Sequence, residues 1–407
     1  MEPKIRLQGF NGDWSNDTIG NIATFSKGRG YSKSDLRSEG NPLILYGRLY
    51  TNYSTVIKSV DTYATLKTGS VLSKGNEVII PGSGETPEDI AVASAVEQKG
   101  VILGGDLNIV TFNPDKIVPA FAAMSITNSK THRELSGYAQ GKTVVHLHNS
   151  NIAKGHISYP TKDEQLGIAA YISSLDDLIQ STTKKIESLK QVKAASLQSM
   201  FPQEGETAPR VRFKGFEGEW ETETLANTGF MTAGGTPSTY NSDYWNGNIN
   251  WLQSGAIQNC IIYPASVEKK ITEKGLAQSS AYLIRKDSVL IAITGATCAN
   301  IGFLTFASAA NQSVVSIETY EKYDSMFIYQ NLLTQRSQIL SFKGGSAQSG
   351  VSLGSLKKVL IQCPKSRDEQ KVIGKYFSSL DSQITLYTQR LEKLQQIKSA
   401  CLDNMLV

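Results

Sequence analysis

Residues 163–200 read DEQLGIAAYISSLDDLIQSTTKKIESLKQVKAASLQSM, and residues 368–405 read DEQKVIGKYFSSLDSQITLYTQRLEKLQQIKSACLDNM. Aligned at a shift of 205, 18 of the 38 positions are identical, where average composition gives roughly two. The first copy sets Ile168, Ile172, Leu175, Ile179, Thr182, Ile186, Leu189, Lys193, Ser196 and Met200 at alternating steps of four and three, the seam of a coiled coil. The second repeats the rhythm with Ile373, Phe377, Leu380, Ile384, Tyr387, Leu391, Leu394, Lys398, Cys401 and Met405. Neither stretch contains proline, and each opens on an Asp-Glu pair suited to a positive helix N-terminus. The spacing predicts two long helices. From Gln165 to Met200 such a helix is about 54 Å long at ~1.5 Å per residue.

Working outward, a second match appears at a shift of 206. Arg6-Leu7-x-Gly9-Phe10-x-Gly12-Asp13-Trp14 returns as Arg212-Phe213-x-Gly215-Phe216-x-Gly218-Glu219-Trp220. The chain of 407 residues is therefore an internal duplication, each copy a variable block followed by a long helix. Its units far exceed the 20 to 50 residues of solenoid repeats. Each helix starts at its own block and runs away from it. If the seams pair, with Ile172, Leu175, Ile179, Ile186 and Leu189 on one helix and Phe377, Leu380, Ile384, Leu391 and Leu394 on the other, they pair antiparallel. The variable blocks carry short β-branched runs between glycine and asparagine breaks: Leu43–Tyr46, Glu77–Ile80, Leu107–Val110, Ser288–Ile293 and Ser313–Ile317. Ser325 to Leu340 reads as helical. Trp14 and Trp220 read as structural anchors packed with Phe10 and Phe216. The expected class is α+β, with two globular domains joined by two long antiparallel coiled-coil helices in pseudo-two-fold duplication. The boundaries are 1–162 and 202–366 for the domains, 163–201 and 367–407 for the helices. Outside the repeat borders the two blocks share little sequence, as if one scaffold carried two specificities.

Composition narrows the function by exclusion. With 41 basic against 37 acidic residues the net charge is +4, so any surface for a polyanion must be local. No apolar run approaches the ~20 residues of a membrane span, and Met1 to Phe10 has no apolar signal core. Cys260, Cys298, Cys363 and Cys401 lack CxxC spacing, which speaks against a disulfide framework or a zinc site. These features lead us to expect a soluble, cytoplasmic protein. Gly141-Lys142-Thr143 resembles the end of a phosphate loop, but position 136 is serine where the motif needs glycine. His146 and His148 share a strand face without a third ligand, so no metal is expected. No Gly-x-Ser-x-Gly elbow is present. The chain reads as non-catalytic.

The two GFxGxW borders, Gly9–Trp14 and Gly215–Trp220, are each closed by a proline and then Glu-Gln, namely Pro160 with Glu164-Gln165 and Pro364 with Glu369-Gln370. With Gly234-Gly235-Thr236-Pro237-Ser238, Tyr244-Trp245, Ile249–Leu252 and Asn311-Gln312-Ser313, this arrangement resembles the specificity subunit of Type I restriction-modification systems over essentially the whole chain. The first block has Lys27-Gly28-Arg29-Gly30-Tyr31-Ser32 where the second has the Gly-Gly-Thr-Pro pattern. The resemblance implies two target recognition domains, each reading one half of a bipartite site in double-stranded DNA, with the helices as ruler and docking surface. The implied partners are two methyltransferase subunits and, for restriction, motor nuclease subunits. It also places S-adenosylmethionine, ATP and Mg on those partners and none on this chain.

Sequence readout needs phosphate anchors for register and polar side chains at base edges for discrimination. In the first block the candidates are Lys27, Arg29 and Lys33 in a glycine-containing loop, then Tyr46, Arg48, Tyr50 and Asn52. Strand alternation is expected to put Tyr46, Arg48 and Tyr50 on one face. In the second block they are Thr236, Ser238, Tyr240, Gln253, Ser254, Lys343 and Gln348. At ~3.4 Å per base pair, a 54 Å rod bounds the separation at about 16 base pairs. The competing reading is a scaffold or adhesion protein with two ligand-binding modules on a helical stalk; a methylating or cleaving enzyme ranks third.

Overall fold

A computed structural model describes residues 2–343 and 350–407. Its contacts divide the chain into two compact units, Met1–Thr183 with Arg390–Val407, and Lys184–Gln389. Each unit holds one globular domain with parts of both long helices.

The first domain contains β1 (Ala23–Lys27), β2 (Asn41–Ile44), β3 (Val56–Ile57), β4 (Tyr63–Ala64), β5 (Glu77–Pro81), β6 (Ser94–Val96), β7 (Ile102–Leu103) and β8 (Leu107–Phe112). They form a five-stranded sheet in the order β1-β8-β5-β6-β3 and a three-stranded sheet in the order β4-β2-β7. The second domain contains β9 (Gly229–Ala233), β10 (Trp245–Leu252), β11 (Cys260–Ile262), β12 (Lys270–Ile271), β13 (Ser288–Ala292), β14 (Ile301–Leu304), β15 (Ala309–Ala310) and β16 (Val314–Thr319). Its sheets run β9-β16-β13-β14-β11 and β12-β10-β15. Every strand of the second domain thus takes the place of the strand eight before it. Strand directions agree as well, with β3/β6 and β11/β14 parallel and the central pairs antiparallel. The divergence read from the sequence of the two blocks is a divergence of side chains on one retained topology.

The apolar runs become strands because both faces of each central sheet are covered. Val78 and Ile80 pack with Phe121 and Met124 of the helix Pro119–Asn128, whereas Ile79 points the other way, onto Ile44, Leu103 and Leu107. In the second domain Val289 and Ile291 face Phe327 and Ile328 of the helix Ser325–Thr334, and Leu290 and Ala292 face Leu252 and Leu304. This is the two-residue period of a pleated strand with no solvent face left over.

The long helices span Lys162–Met200 and Arg367–Met405. Burial follows the seam: Ile172, Leu175, Ile186, Leu189, Phe377 and Leu380 are buried, and Ile179, Ile384, Leu391 and Leu394 are half-buried. Within the first unit, Ile168, Ile172 and Leu175 share a core with Leu394, Leu402 and Met405. Within the second, Leu189 and Met200 share one with Ile373, Phe377, Leu380, Ile384 and Tyr387. Direction is fixed by two ion pairs. Asp176 meets Lys398 in the first unit, and Lys193 Nζ lies 2.6 Å from Asp381 Oδ1 in the second. Both pairs obey one antiparallel register, in which an advance along one helix is a retreat along the other.

The repeat borders explain themselves in contacts. Ser15–Thr18 pairs antiparallel with His156–Tyr159, and Glu221–Thr224 pairs in the same way with Leu360–Cys363. Arg6 donates to both carboxylate oxygens of Glu164 and to the carbonyls of Asn11 and Gly12. Arg212 does the same with Glu369, Glu217 and Gly218. The border glycines Gly9, Gly12, Gly215 and Gly218 have φ of +96°, +86°, +96° and +85°, a region a β-carbon disfavours. Next door, Gln165 Oε1 accepts from Val118 N while its Nε2 donates to Lys116 O and Pro160 O. Gln370 repeats this with Asp324 N and Pro364 O. The Glu-Gln at each helix start is therefore one half of a lock whose other half is the GFxG border. Trp14 and Trp220 are buried as expected, but their ring partners are Phe121, and Phe201 with Phe327. Phe10 instead lies near Gly167 of the long helix.

Candidate nucleic-acid interface

In the first domain, Lys33, Tyr46, Arg48, Tyr50 and Asn52 line a single cleft of about 1600 Å³. Lys27 and Arg29, exposed at the end of β1 and just beyond it, stand outside this lining. The cleft gathers them because β1 and β2 belong to different sheets, so the chain must cross between sheets from Gly28 to Gly40 and turns again after β2. The face expected from strand alternation is not there. Arg48–Thr51 is a helical turn, so Tyr46 and Tyr50, four apart, stack edge to face at 6.3 Å, while Arg48 leaves that face. Its guanidinium reaches Asp61 at 2.7 Å, and this hydrogen bond holds the Asp61 carboxyl below its usual range.

Burial pushes the Tyr50 phenol well above its ordinary value; it is a neutral donor, and it donates to the Ser83 carbonyl at 2.7 Å. Lys33 is exposed, and the neighbouring Asp35 is engaged by Lys67 and the Ser32 backbone, which lower its pKa. The cleft thus offers one exposed cation, one buttressed arginine, two presented tyrosines and an exposed amide. Asp61, Ser83, Glu85, Asp89, Asp106 and Val144 are also among the lining residues. Sequence reading missed these, since nothing local ties Asp61 to Arg48 or Ser83 to Tyr50.

In the second domain five of the seven candidates fall on the same two connections. Thr236, Ser238 and Tyr240 follow β9 as Lys27, Arg29 and Lys33 follow or close β1; Gln253 and Ser254 follow β10 as Tyr46 and Arg48 follow β2. The crossing after β9 is pinned at many points. Trp251 Nε1 donates to Gly235 O, Trp245 Nε1 to Ser238 O, and Thr236 Oγ1 to Gln312 Oε1. Thr272 N donates to Tyr244 O, and Lys274 pairs with Asp243. On this fastened crossing Tyr240 is 100% exposed. Gln253 is exposed and Ser254 half-buried. Lys343 is exposed beyond the helix Arg336–Ser341, and Gln348 lies outside the described residues. Gly234 and Gly235 pack against the backbone of Ala310 and Ser280, where a side chain would collide.

Among the described residues no cluster of His, Cys, Asp and Glu has the grouping of a metal site. His146 and His148 do share a face, their rings stacked at 6.3 Å. The four cysteines are free thiols. No helix among the described residues is long and apolar enough to cross a membrane.

The family model described as the Type I restriction modification DNA specificity domain matches this chain twice, over residues 11–191 and 217–396. The specificity subunit of the Type I restriction enzyme MjaIX from Methanocaldococcus jannaschii is 27% identical over 184 residues, 43% of this chain and 42% of that protein. That of EcoR124I/EcoR124II from Escherichia coli is 26% identical over 188 residues, 44% of this chain and 46% of that one. Each of these two alignments therefore spans less than half of the relative's length. A putative specificity subunit of MjaX, also from Methanocaldococcus jannaschii, aligns over 331 residues at 23% identity, 78% of this chain and 75% of the relative. In fold, the chain is similar to the crystal structure of a Type-I restriction-modification system S subunit from M. genitalium, with a TM-score of 0.71 at 16% identity, covering 100% of this chain and 99% of that one.

Proposed function

Since the chain belongs to the Type I restriction modification DNA specificity family, we propose that it is the DNA-binding specificity subunit of a restriction-modification complex, each domain reading one part of a bipartite duplex target. The observation that carries this reading is the twinned architecture: two domains of one topology present different polar and aromatic side chains on the same pair of connections. A retained scaffold with exchanged contact residues is what two half-sites of unlike sequence require. In the first domain the exposed cations Lys27, Arg29 and Lys33 serve as phosphate anchors, and Arg48, Asn52, Tyr46 and Tyr50 approach base edges from the cleft. In the second, Thr236, Ser238, Tyr240, Gln253, Ser254, Lys343 and Gln348 divide the same tasks. A good bidentate pair, arginine on guanine or an amide on adenine, contributes ~1–3 kcal/mol of discrimination.

The chain itself supplies no chemistry in this reading. Two methyltransferase subunits dock on the paired helices and bring S-adenosylmethionine and adenine methylation. Restriction subunits bring ATP, Mg and cleavage, and the assembly works in the cytoplasm. Helix length sets the unspecified spacer between the two recognised stretches.

The test is to co-express the chain with a cognate methyltransferase subunit and map methylated adenines. Two short recognised stretches at a fixed spacing are expected; methylation without sequence preference, or at one continuous site, would refute the bipartite reading. Duplex binding by the complex should also weaken steeply with salt, because bound phosphates release counterions. A protein or carbohydrate ligand predicts no such slope.

A further inference from the structure

Gly141-Lys142-Thr143, with its likeness to the end of a phosphate loop, has no task in the function proposed above. The structure makes it the tip of a closed hairpin. Gln140 N donates to His146 O at 3.0 Å and His146 N to Gln140 O at 2.7 Å. Gly141 sits at φ +135°, and a β-carbon there would collide with the Val144 carbonyl, so the turn is built rather than slack. The base of the hairpin is fastened to the cleft wall. Val145 and His146 pair with Gly84 and Ser83, and His146 Nδ1 lies 3.0 Å from Ser83 Oγ. The Ser83 carbonyl is also the acceptor of the Tyr50 hydroxyl. One residue therefore joins the hairpin to the tyrosine pair.

Beyond this anchor the tip is open. Lys142, Thr143 and Val144 are all exposed. Val144 lines the same cleft as Lys33, Tyr46 and Tyr50, and Lys142 makes no ion pair among the described residues. The second domain has the corresponding anchor. Thr294 bridges to Gly350, and Val351 N donates to Ile293 O, as Leu147 N donates to Gly82 O in the first domain. The connection that ends at Gly350 is the one on which the sequence independently nominates Lys343 and Gln348.

We infer that the Gln140–His146 hairpin is a third DNA-contacting element of the first domain, with the Lys142 ammonium on a backbone phosphate oxygen at the rim of the cleft. The inference rests on the DNA-reading role proposed above. It adds a sequence-independent anchor on a segment fastened next to the tyrosine pair, separate from the loop that carries Lys33. A flexible ammonium on a stiff tip suits a phosphate better than a base edge, because it makes a point contact without planar geometry.

The experiment measures duplex binding by the complex of full-length chain and methyltransferase subunits across a salt series, for wild type, Lys142→Gln, Lys142→Arg and Lys33→Gln. Lys142→Gln is expected to lower the slope of log affinity against log salt by about 0.9, the value for one lost phosphate contact. It should weaken cognate and non-cognate duplexes alike and leave the methylated sequence unchanged, while Lys142→Arg keeps the wild-type slope. If Lys142→Gln keeps the wild-type slope while Lys33→Gln lowers it, the hairpin does not touch DNA and the inference fails with the DNA reading intact. A wild-type complex without salt-dependent duplex binding would overturn both.

Discussion

Arg6 and Arg212 each hold three groups with a single guanidinium: a carboxylate at the start of a long helix and two carbonyls of the border loop. The carboxylates are almost fully buried, with Glu369 at 1% and Arg212 at 16% side-chain exposure. A buried charge left without its partner costs several kcal/mol. Glu369→Gln should therefore destabilise the second domain by about 3 kcal/mol, seen as an earlier transition in chemical denaturation, and Arg212→Lys should also destabilise, because an ammonium cannot make the bidentate contact. Wild-type stability in both variants would show that the lock is incidental. Both halves of the lock are visible in the sequence as repeated motifs. Their union is not, since Arg212 and Glu369 are 157 positions apart and only tertiary closure brings them together. The cleft shows the complementary limit. Tyr46, Arg48 and Tyr50 alternate as a strand would, but one helical turn of four residues is too short to impress its period on the sequence, so the expected common face gives way to a Tyr46–Tyr50 pair without Arg48.

Among the elements, the long helices were the most legible part of the chain, because a mostly apolar seam repeated at steps of four and three along the whole helix leaves a periodic trace. The two lysines in that seam look like faults until Lys193 is seen on Asp381 and Lys398 on Asp176. Asp381 also accepts from Gln330 Nε2 at 2.8 Å, which ties the helix pair to the domain beside it. Lys193→Asp should place two carboxylates together and cost about 3 kcal/mol, and Lys193→Asp with Asp381→Lys should recover a large part of that loss. A double-mutant cycle in thermal unfolding of the full chain checks this; additive losses would mean that the pair does not couple. The strands were legible as apolar runs, whereas their order was not. Val78, Ile79 and Ile80 are all buried, so the run carries no alternation to say which face meets which partner.

For the molecule as a whole, the duplication was plain in the helices and borders and nearly erased in the domains. The physical reason is that a strand buried on both faces asks only for apolar bulk, which many residues supply, whereas the locks and seam ask for particular groups. Identity was lost and topology kept. Helix length as the determinant of the spacer gives a prediction at this scale. Deleting one heptad, Ile179–Lys185, should change the spacing of methylated sites and leave both recognised stretches as they were; altered recognised stretches would refute the ruler.

One backbone hydrogen bond recurs in both units. Ile5 N donates to Asn404 O at 2.9 Å, and Val211 N donates to Ser199 O at the same distance. In the second unit those partners are 12 positions apart in the sequence, while in the first they are 399 positions apart. The same contact thus forms with and without a short covalent connection between its partners, so it is the packing of border against helix end, and not the chain link, that closes it.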